Sequence, residues 1–231
     1  MLFDRGSSSP VPAGVACVVL VALVVVLLLR RPEDGTRRWL RAAAYFSACL
    51  LVSALTGVLD TLLTGPVLGE SDRAGFGAAL AVCVAVELVA YGWIWPIGTY
   101  TLDRPRDLPT GIGFGLVWGA CEAQLLLAFW AVLERTGWQV GYVAVGAFVL
   151  MSAFQGCWHA LYWDRHVAPE HNDPAWNLRK VLLCHVPNLA VTLAFVAVYR
   201  APLLFVALQT LSLVLSSCAM RFPRPRTFAV A

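Results

Sequence analysis

Seven long apolar runs fill this chain, and they constrain its fold more than any other feature. Each is close to or above the roughly 20 residues that a helix needs to cross the hydrocarbon core of a bilayer. The chain has 231 residues, 59% of them apolar, and its loops are short. We therefore predict an all-α, polytopic membrane protein in which residues 1–231 form a single domain. The predicted helices are residues 11–29, 39–64, 75–99, 110–133, 139–163, 180–199 and 201–220.

The basic residues predict the orientation of this bundle. They fall into two alternate sets of loops, with 13 in one set and four in the other. Because cytoplasmic loops carry the excess of Lys and Arg, we expect the N-terminus outside and the C-terminus in the cytoplasm. An even number of helices would break the alternation, so the charges indicate seven spans independently of hydropathy. The larger set is Arg30, Arg31, Arg37, Arg38, Arg41, Arg104, Arg106, Arg165, Arg179, Lys180, Arg221, Arg224 and Arg226.

The net charge of +3 comes from these loops, so we attribute it to membrane topology. A nucleic-acid surface would instead cluster Lys and Arg on one folded face. The predicted partners are therefore the lipid bilayer and a hydrophobic small molecule, without nucleic acid. The predicted location is the cell membrane, of the bacterial inner-membrane type.

Cysteine and histidine patterns give no indication of a metal centre. The seven cysteines lie one in each predicted helix and form no Cys-x-x-Cys pair, which is typical of small buried apolar residues. Six His, Asp and Glu residues extend from the fifth predicted helix into the next loop, but their spacing matches no metal-ligand motif. We predict no metal and no cofactor. Two interpretations of these residues remain: they form a rim that binds a headgroup or diphosphate, or they belong to a loop that is tied to helix ends. The six residues are His159, Asp164, His166, Glu170, His171 and Asp173.

Five predicted helices carry a triplet of mostly polar residues at spacing i, i+3 and i+7, which places each triplet on one face of its helix. A polar group that faces lipid costs free energy, so we expect these faces to turn inward, where hydroxyl and amide cross-links hold helices together. The first run has no such face and is expected at the bundle edge. The triplets are Ser53/Thr56/Asp60, Gly115/Trp118/Glu122, Ser152/Gln155/His159, His185/Asn188/Thr192 and Gln209/Ser212/Ser216; Gly111, Gly115 and Gly119 further predict close helix packing.

Two carboxyl groups lie near the middle of predicted spans. Glu87 is in the third and Glu122 in the fourth, and no Lys or Arg is expected at their depth. A charged group at that depth costs on the order of 3 kcal/mol on insertion scales, which favours the neutral, protonated form. We interpret Glu87 as a general acid and Glu122 as a second acid or base.

Aromatic and polar side chains accompany these acids. Tyr91, Trp118 and Trp158 are predicted to line a pocket, where ring faces would stabilise positive charge on a substrate. Four further predicted substrate contacts lie on the fifth and sixth helices: Gln155, His159, His185 and Asn188. We assign Trp93, Trp95 and Trp163 to the membrane interface, where Trp is enriched.

Glu87, Tyr91 and Pro96 form a short stretch that resembles the integral-membrane terpene cyclases of meroterpenoid pathways. In that family a Trp-Glu-aromatic-x-Tyr…Pro stretch carries the acid that protonates the substrate. Here Val86 stands in place of the Trp, and the Pro comes one residue later. The family also has an acidic residue in its last helix, where this chain has Gln209; Glu122 is the candidate replacement.

The predicted function is that of a membrane-embedded enzyme that acts on an apolar, isoprenoid-derived substrate by acid-initiated cyclisation or isomerisation. Two alternatives remain. In a proton-coupled transporter the same two acids would relay protons. In a non-catalytic assembly or sensor protein the polar faces would only hold helices together.

Overall fold

The structure, a computed structural model, describes residues 2–3, 35–99, 106–167 and 173–220. Within these ranges the chain is helical and forms no strand, which confirms the all-α prediction. Three of the helices change from α to π geometry along their length. The elements are α1 Gly35–Leu55, α2 Val58–Thr64, α3 Phe76–Glu87, π1 Leu88–Ile94, α4 Leu108–Glu134, α5 Val140–Cys157, π2 Trp158–Val167, α6 Leu178–Lys180, π3 Val181–His185, α7 Val186–Tyr199 and α8 Pro202–Met220.

Several of these helices have the length and composition of membrane spans. Five continuous segments qualify, and the bent pair α1–α2 makes a sixth if it is counted as one span. They correspond to the second through seventh predicted runs, so a multi-pass membrane protein is supported. The first predicted run, residues 11–29, lies outside the described residues, as do Glu170, His171 and the side chain of His166. The qualifying segments are Phe76–Ile94, Leu108–Glu134, Val140–Leu161, Leu178–Tyr199 and Pro202–Met220.

The second predicted span is not one straight helix. It bends by 79° between α1 and α2, where Gly57 adopts a left-handed backbone with φ of 72°. The Thr56 hydroxyl donates to the carbonyl oxygen of Val52 at 2.7 Å, and the guanidinium of Arg135 donates to the Thr56 carbonyl oxygen at 2.7 Å. The prediction that Asp60 shares an inward face with Ser53 and Thr56 is wrong. Asp60 lies beyond the bend and is exposed, whereas the other two are buried.

Helix α4 is the centre of the bundle. It is the most buried of the five spans, and its glycine face packs against α8. A Cβ atom added at Gly115 would lie 2.5 Å from Val214 Cα, and one at Gly119 would lie 2.6 Å from Thr210 Cα. At Gly111 the nearest backbone atom, Cys218 Cα, would lie at 3.0 Å. The predicted close backbone approach along this face is therefore confirmed.

The described loops divide between two ends of the bundle. At one end, the Arg73 guanidinium donates to the Val198 carbonyl oxygen and the Glu70 amide donates to the Tyr199 carbonyl oxygen, both at 2.6 Å. At the other end, which we call the loop end, Arg179 donates to the carbonyl oxygen of Ile97 at 2.7 Å. The loop end comprises residues 95–99, 164–167 and 173–180, and the candidate site lies beneath it.

Candidate functional site

The inward polar faces converge on a narrow cavity of about 20 Å³ below the loop end. A space of this size holds about one water molecule. Its wall combines polar groups from six helical elements with the rings of Trp95 and Trp163 and the side chains of Leu213 and Met220. The polar members are Tyr91, Glu122, Gln155, His159, His185, Gln209, Ser212 and Ser216.

All three π-helical segments reach this cavity. Tyr91 lies in π1, His159 in π2 and His185 in π3, and each side chain forms part of the cavity wall. A π-helical segment rotates the residues after it relative to an α-helix and is frequent at functional sites. The local geometry of three separate helices therefore turns these side chains to one point.

Glu122 provides the carboxyl group of the cavity wall. It comes from the middle of α4 and is buried. The indole Nε1 of Trp118, one turn earlier, donates to Glu122 Oε2 at 2.6 Å. Trp118 is itself packed between Tyr45, 5.2 Å away between ring centroids, and Trp163, 4.7 Å away. The Glu122 carboxyl group therefore has a fixed orientation, which a proton donor requires.

Glu87 is fully buried but does not line the cavity. The Asn188 amide donates to Glu87 Oε2 at 3.3 Å, and Glu87 Oε1 has no hydrogen-bond partner among the described residues. Gln209 Nε2 donates to Asn188 Oδ1 at 2.7 Å and to the Thr192 hydroxyl at 3.2 Å. Because Gln209 lines the cavity, this network connects Glu87 to the cavity wall.

The hydrogen bonds of His185 define its tautomer. Its Nε2 lies 3.1 Å from the carbonyl oxygen of Ala175, and its Nδ1 lies 3.3 Å from the Tyr91 hydroxyl. A carbonyl oxygen only accepts, so Nε2 carries the proton and donates. In the neutral ring Nδ1 then accepts from Tyr91. Both ring nitrogens of His185 are therefore engaged.

His159 lies beside His185, with the ring centroids 4.9 Å apart. Its ring stacks on Trp176 at a centroid distance of 6.0 Å and an interplanar angle of 8°. Its Nδ1 has no hydrogen-bond partner within the part of the chain that the structure describes. Of the two histidines, His159 therefore has a nitrogen that is not committed to a protein group.

An aromatic cluster adjoins the cavity on the side of α1. Tyr45 stacks on Trp158 at 4.2 Å between centroids, and Trp158 lies 5.7 Å from Trp118. Trp118, Trp158 and Asn188 were predicted to contact substrate; the structure buries all three beside the cavity without placing them on its wall. Tyr91, Gln155, His159 and His185, with the same predicted role, do line it.

Residues 173–177 cover the loop end of the cavity. Asp164 accepts hydrogen bonds from the backbone amides of Ala175 at 2.6 Å and Trp176 at 3.1 Å. Burial raises the pKa of the Asp164 carboxyl above its ordinary value, and these two amides partly offset the shift. Asp173 forms an ion pair with Arg179 at 2.5 Å. The described part of the polar loop, residues 173–177, is thus tied to the helix ends, as one of the two interpretations of its sequence predicted.

Lys180, the one lysine of the chain, is buried at the loop end. Its ammonium group donates to the carbonyl oxygens of Asp173 at 2.9 Å and Pro174 at 3.0 Å. It also lies 4.7 Å from the ring centroid of Trp95, a favourable cation–π distance. Lys180 therefore joins the cover at residues 173–177 to the cavity wall.

The prediction that Trp95 and Trp163 belong to the membrane interface is wrong. Both are buried and line the cavity, whereas Trp93 is 70% exposed. Trp95 follows Tyr91 by four residues and Trp163 follows His159 by four, and side chains at that spacing share a helix face. This spacing was the sequence signal that could have identified them.

Among the described residues, no group of three or more His, Cys, Asp or Glu side chains is placed to hold a metal ion. Comparison of the chain with models of known protein families gives no match, and comparisons with curated proteins and with solved structures give none either.

Proposed function

We propose that the protein is a membrane enzyme that starts a reaction on an apolar, isoprenoid-derived molecule by protonating it. The observation that carries this proposal is Glu122, an acid fixed by Trp118 on the wall of a cavity that aromatic rings surround. The buried Lys180 at the loop end is paired with Asp173, and among the described residues no cation pairs with Glu122. A buried carboxyl group without a paired cation is favoured in its protonated form. Protonation of an alkene or an epoxide then produces a carbocation, and ring faces stabilise such a charge.

The cavity residues have distinct roles in this proposal. Glu122 is the general acid. Tyr91, Trp95 and Trp163 present rings to the positive charge, and Gln155 and His159 bind a small polar group or molecule at the loop end. His185, whose ring nitrogens are engaged, holds Tyr91 in place. Glu87, Asn188 and Gln209 form the supporting hydrogen-bond network, with Glu87 as the second acid. Trp118 and Trp158 stabilise this arrangement from the adjoining aromatic cluster.

The size of the cavity adds a requirement. About 20 Å³ does not accommodate an isoprenoid chain, so the structure corresponds to a closed state. Substrate access requires side chains of the wall or the cover at residues 173–177 to move apart.

The likeness to membrane terpene cyclases also belongs to this proposal. The last helix, α8, carries Gln209 where that family has an acid. Because α4 packs closely on α8 through Gly115 and Gly119, Glu122 reaches the same cavity wall as Gln209. This supports Glu122 as the replacement for the missing acid. We further propose seven spans with the N-terminus outside, in a bacterial inner membrane.

The test is conversion of candidate substrates by membranes that contain the protein. The panel is farnesylated phenols and their O-methyl ethers, whose double bonds receive the proton on carbon, with products analysed by mass spectrometry in D₂O. Wild-type protein is expected to form cyclised or isomerised products with deuterium on carbon. Glu122→Gln keeps an oxygen that accepts from Trp118 and removes the acidic proton, so turnover should fall at least about 100-fold, the lower end of general-acid contributions.

Two variants make this test specific. Glu70→Gln, in a loop at the end opposite the site, is the matched control and should retain wild-type turnover. Glu87→Gln tests the second acid. Because Glu87 is connected to the cavity wall only through Asn188 and Gln209, this variant is expected to lower turnover less than Glu122→Gln does, without loss of folded protein. Wild-type turnover in Glu122→Gln would contradict the role of Glu122, and the absence of deuterated product across the panel would contradict the proposed reaction.

A proton-coupled transporter is the second candidate, because hydrogen bonds connect Glu87 through Asn188 to Gln209 at the cavity. In that case purified protein in proteoliposomes would move protons together with a small solute. Both Glu87→Gln and Glu122→Gln would then stop the movement, and no chemically altered product would form.

A further inference from the structure

Three side chains of the cavity wall have polar atoms without a hydrogen-bond partner in the described part of the chain. They are Trp95 Nε1, Gln155 Oε1 and His159 Nδ1. The three residues are only 2%, 5% and 6% exposed. Buried polar atoms without partners are costly and require an explanation, such as a bound molecule. All three side chains line the same small cavity, so one bound molecule within reach of the three atoms would satisfy them together.

The chemistry of these atoms limits the bound molecule to one that both donates and accepts hydrogen bonds, as a water molecule or a hydroxyl group does. The indole Nε1 of Trp95 only donates, and the Gln155 carbonyl oxygen only accepts. A carbonyl ligand would leave Gln155 without a donor, and an ammonium ligand would leave Trp95 without an acceptor. A water molecule accepts from Trp95 and donates to Gln155 and to His159 Nδ1. Three hydrogen bonds are typical of a buried water.

The dimensions of the site agree with this choice. The cavity holds about one water molecule, and the ring centroids of Trp95 and His159 lie 6.4 Å apart, a separation that one bridging water can span. His185 cannot take the place of His159, because its nitrogens are engaged by Tyr91 and by the Ala175 carbonyl oxygen. Glu122 lines the same cavity, so the water lies near the proposed acid.

We propose that Trp95, Gln155 and His159 bind a water molecule that adds to the substrate, so that the protein hydrates an isoprenoid double bond. This inference rests on the proposed acid-initiated function and specifies how the reaction ends. Glu122 transfers its proton to one alkene carbon, which leaves a carbocation on the other. The water oxygen forms a C–O bond to that carbon, and His159 Nδ1 takes the proton that the water releases. Return of this proton to Glu122 restores the site, and the net reaction is alkene plus water to alcohol.

The experiment measures two isotopes in the product of the same converted panel member. Deuterium on carbon, from D₂O, reports protonation by the enzyme. Oxygen-18 in the product, from H₂¹⁸O, reports addition of water. The inference predicts a product that gains the mass of one water with the ¹⁸O label, formed by wild-type membranes and absent from membranes that carry Glu122→Gln.

Trp95→Phe keeps an aromatic ring but removes the N–H that orients the water. The share of ¹⁸O-labelled alcohol should fall about tenfold, which corresponds to about 1.4 kcal/mol, while the alkene formed by proton loss from the carbocation increases. Trp93→Phe changes the exposed indole two residues earlier, in π1, and should leave the product ratio unchanged. Folded yield of both variants is measured by size-exclusion chromatography in detergent.

The possible outcomes separate the two proposals. Deuterated product without ¹⁸O in wild-type protein overturns the water site and leaves the acid-initiated function in place. Equal ¹⁸O shares in wild-type protein and folded Trp95→Phe also overturn it. Absence of deuterated product across the whole panel overturns the proposed function, and the inference falls with it.

Discussion

Glu122 and Glu87 are both buried acids, but their neighbours give them different chemistry. Glu122 receives a hydrogen bond from Trp118 and lies on the cavity wall. Glu87 receives a longer hydrogen bond from Asn188 and has no surface on the cavity. Proton transfer requires the donor to come within hydrogen-bond reach of the reacting atom. In this structure Glu122 meets that requirement better than Glu87, which the sequence pattern indicated as the general acid.

Trp118→Phe tests how strongly the indole holds Glu122. Phenylalanine keeps most of the ring packing against Tyr45 and Trp163 but leaves the Glu122 carboxyl without this donor. Loss of a buried hydrogen bond to such a group costs about 1–3 kcal/mol, so the melting temperature of the purified protein should fall. Melting can be followed with a thiol-reactive dye, because Cys49, Cys121 and Cys184 are buried in the fold and free to react on unfolding.

Trp130→Phe is the matched control for this substitution. Trp130 is also a buried residue of α4, but its Nε1 has no hydrogen-bond partner among the described residues. Removal of that N–H therefore breaks no hydrogen bond between described residues. The melting temperature should change only by the effect of replacing a larger ring with a smaller one. Equal destabilisation by the two variants would show that ring volume, and not the bond to Glu122, determines the effect.

Inward-facing polar residues could be predicted from the sequence where the helix is regular. Glu122, His185, Asn188 and Gln209 are buried as their triplets predicted, because helical spacing and the cost of a polar group in lipid are local properties. The partner of each group could not be predicted. Trp95 is an example of conflicting sequence signals. The enrichment of Trp at membrane interfaces predicted an outward-facing side chain, whereas its position four residues after Tyr91 predicted an inward-facing one.

The π segments explain why helical elements were predicted better than the site. Hydropathy identifies a span by its length and apolar content, and these are the same for α and π geometry. A π segment changes which side chains share a face, so π1, π2 and π3 alter the registers that the regular spacing predicts. The bend at Gly57 has a similar effect on Asp60. The number of described spans and the polar residues of the cavity wall were accessible from the sequence. The places of Trp95 and Trp163 on that wall, and the absence of Glu87 and Asn188 from it, required the structure.

Gly115→Ala tests the contact between α4 and α8. The added Cβ would lie 2.5 Å from Val214 Cα, a backbone atom that cannot move alone. The two helices must separate, and overpacking of this kind typically costs about 1–3 kcal/mol. The melting temperature should fall, and the cavity should lose activity with it because Glu122 and Gln209 come from these two helices.

Gly113→Ala on the same helix separates packing from helix propensity. A Cβ atom at residue 113 meets nothing within 4 Å, and alanine favours a helix over glycine by about 1 kcal/mol. This variant should melt at or above the wild-type temperature. A Gly115→Ala protein as stable as the Gly113→Ala protein would contradict the close approach of α4 and α8.

At the scale of the whole molecule, the hydrogen bonds between loops agree with the alternation of charges. Arg73 and Arg135 contact backbone at the end opposite the loop end, through Val198 and Thr56. Arg179 and Lys180 contact backbone at the loop end. The described helices therefore alternate in direction as the positive-inside pattern requires. In the orientation that we propose, the loop end is cytoplasmic and the candidate cavity lies below the cytoplasmic surface.

The number of spans determines on which side the N-terminus lies, and this gives a test of the whole topology. With the C-terminus in the cytoplasm, seven spans place the N-terminus outside, whereas six place it inside.

Alkaline phosphatase is active only where its disulfides form, outside the cytoplasm. Its fusions after residue 71 and after residue 137 should be active, and a green fluorescent protein fused after residue 231 should fluoresce. An epitope tag before residue 1 should then bind antibody on intact spheroplasts. If the antibody binds the tag only after permeabilisation, and the other fusions behave as expected, residues 11–29 do not cross the membrane. A fully inverted pattern of all the fusions would contradict the orientation itself.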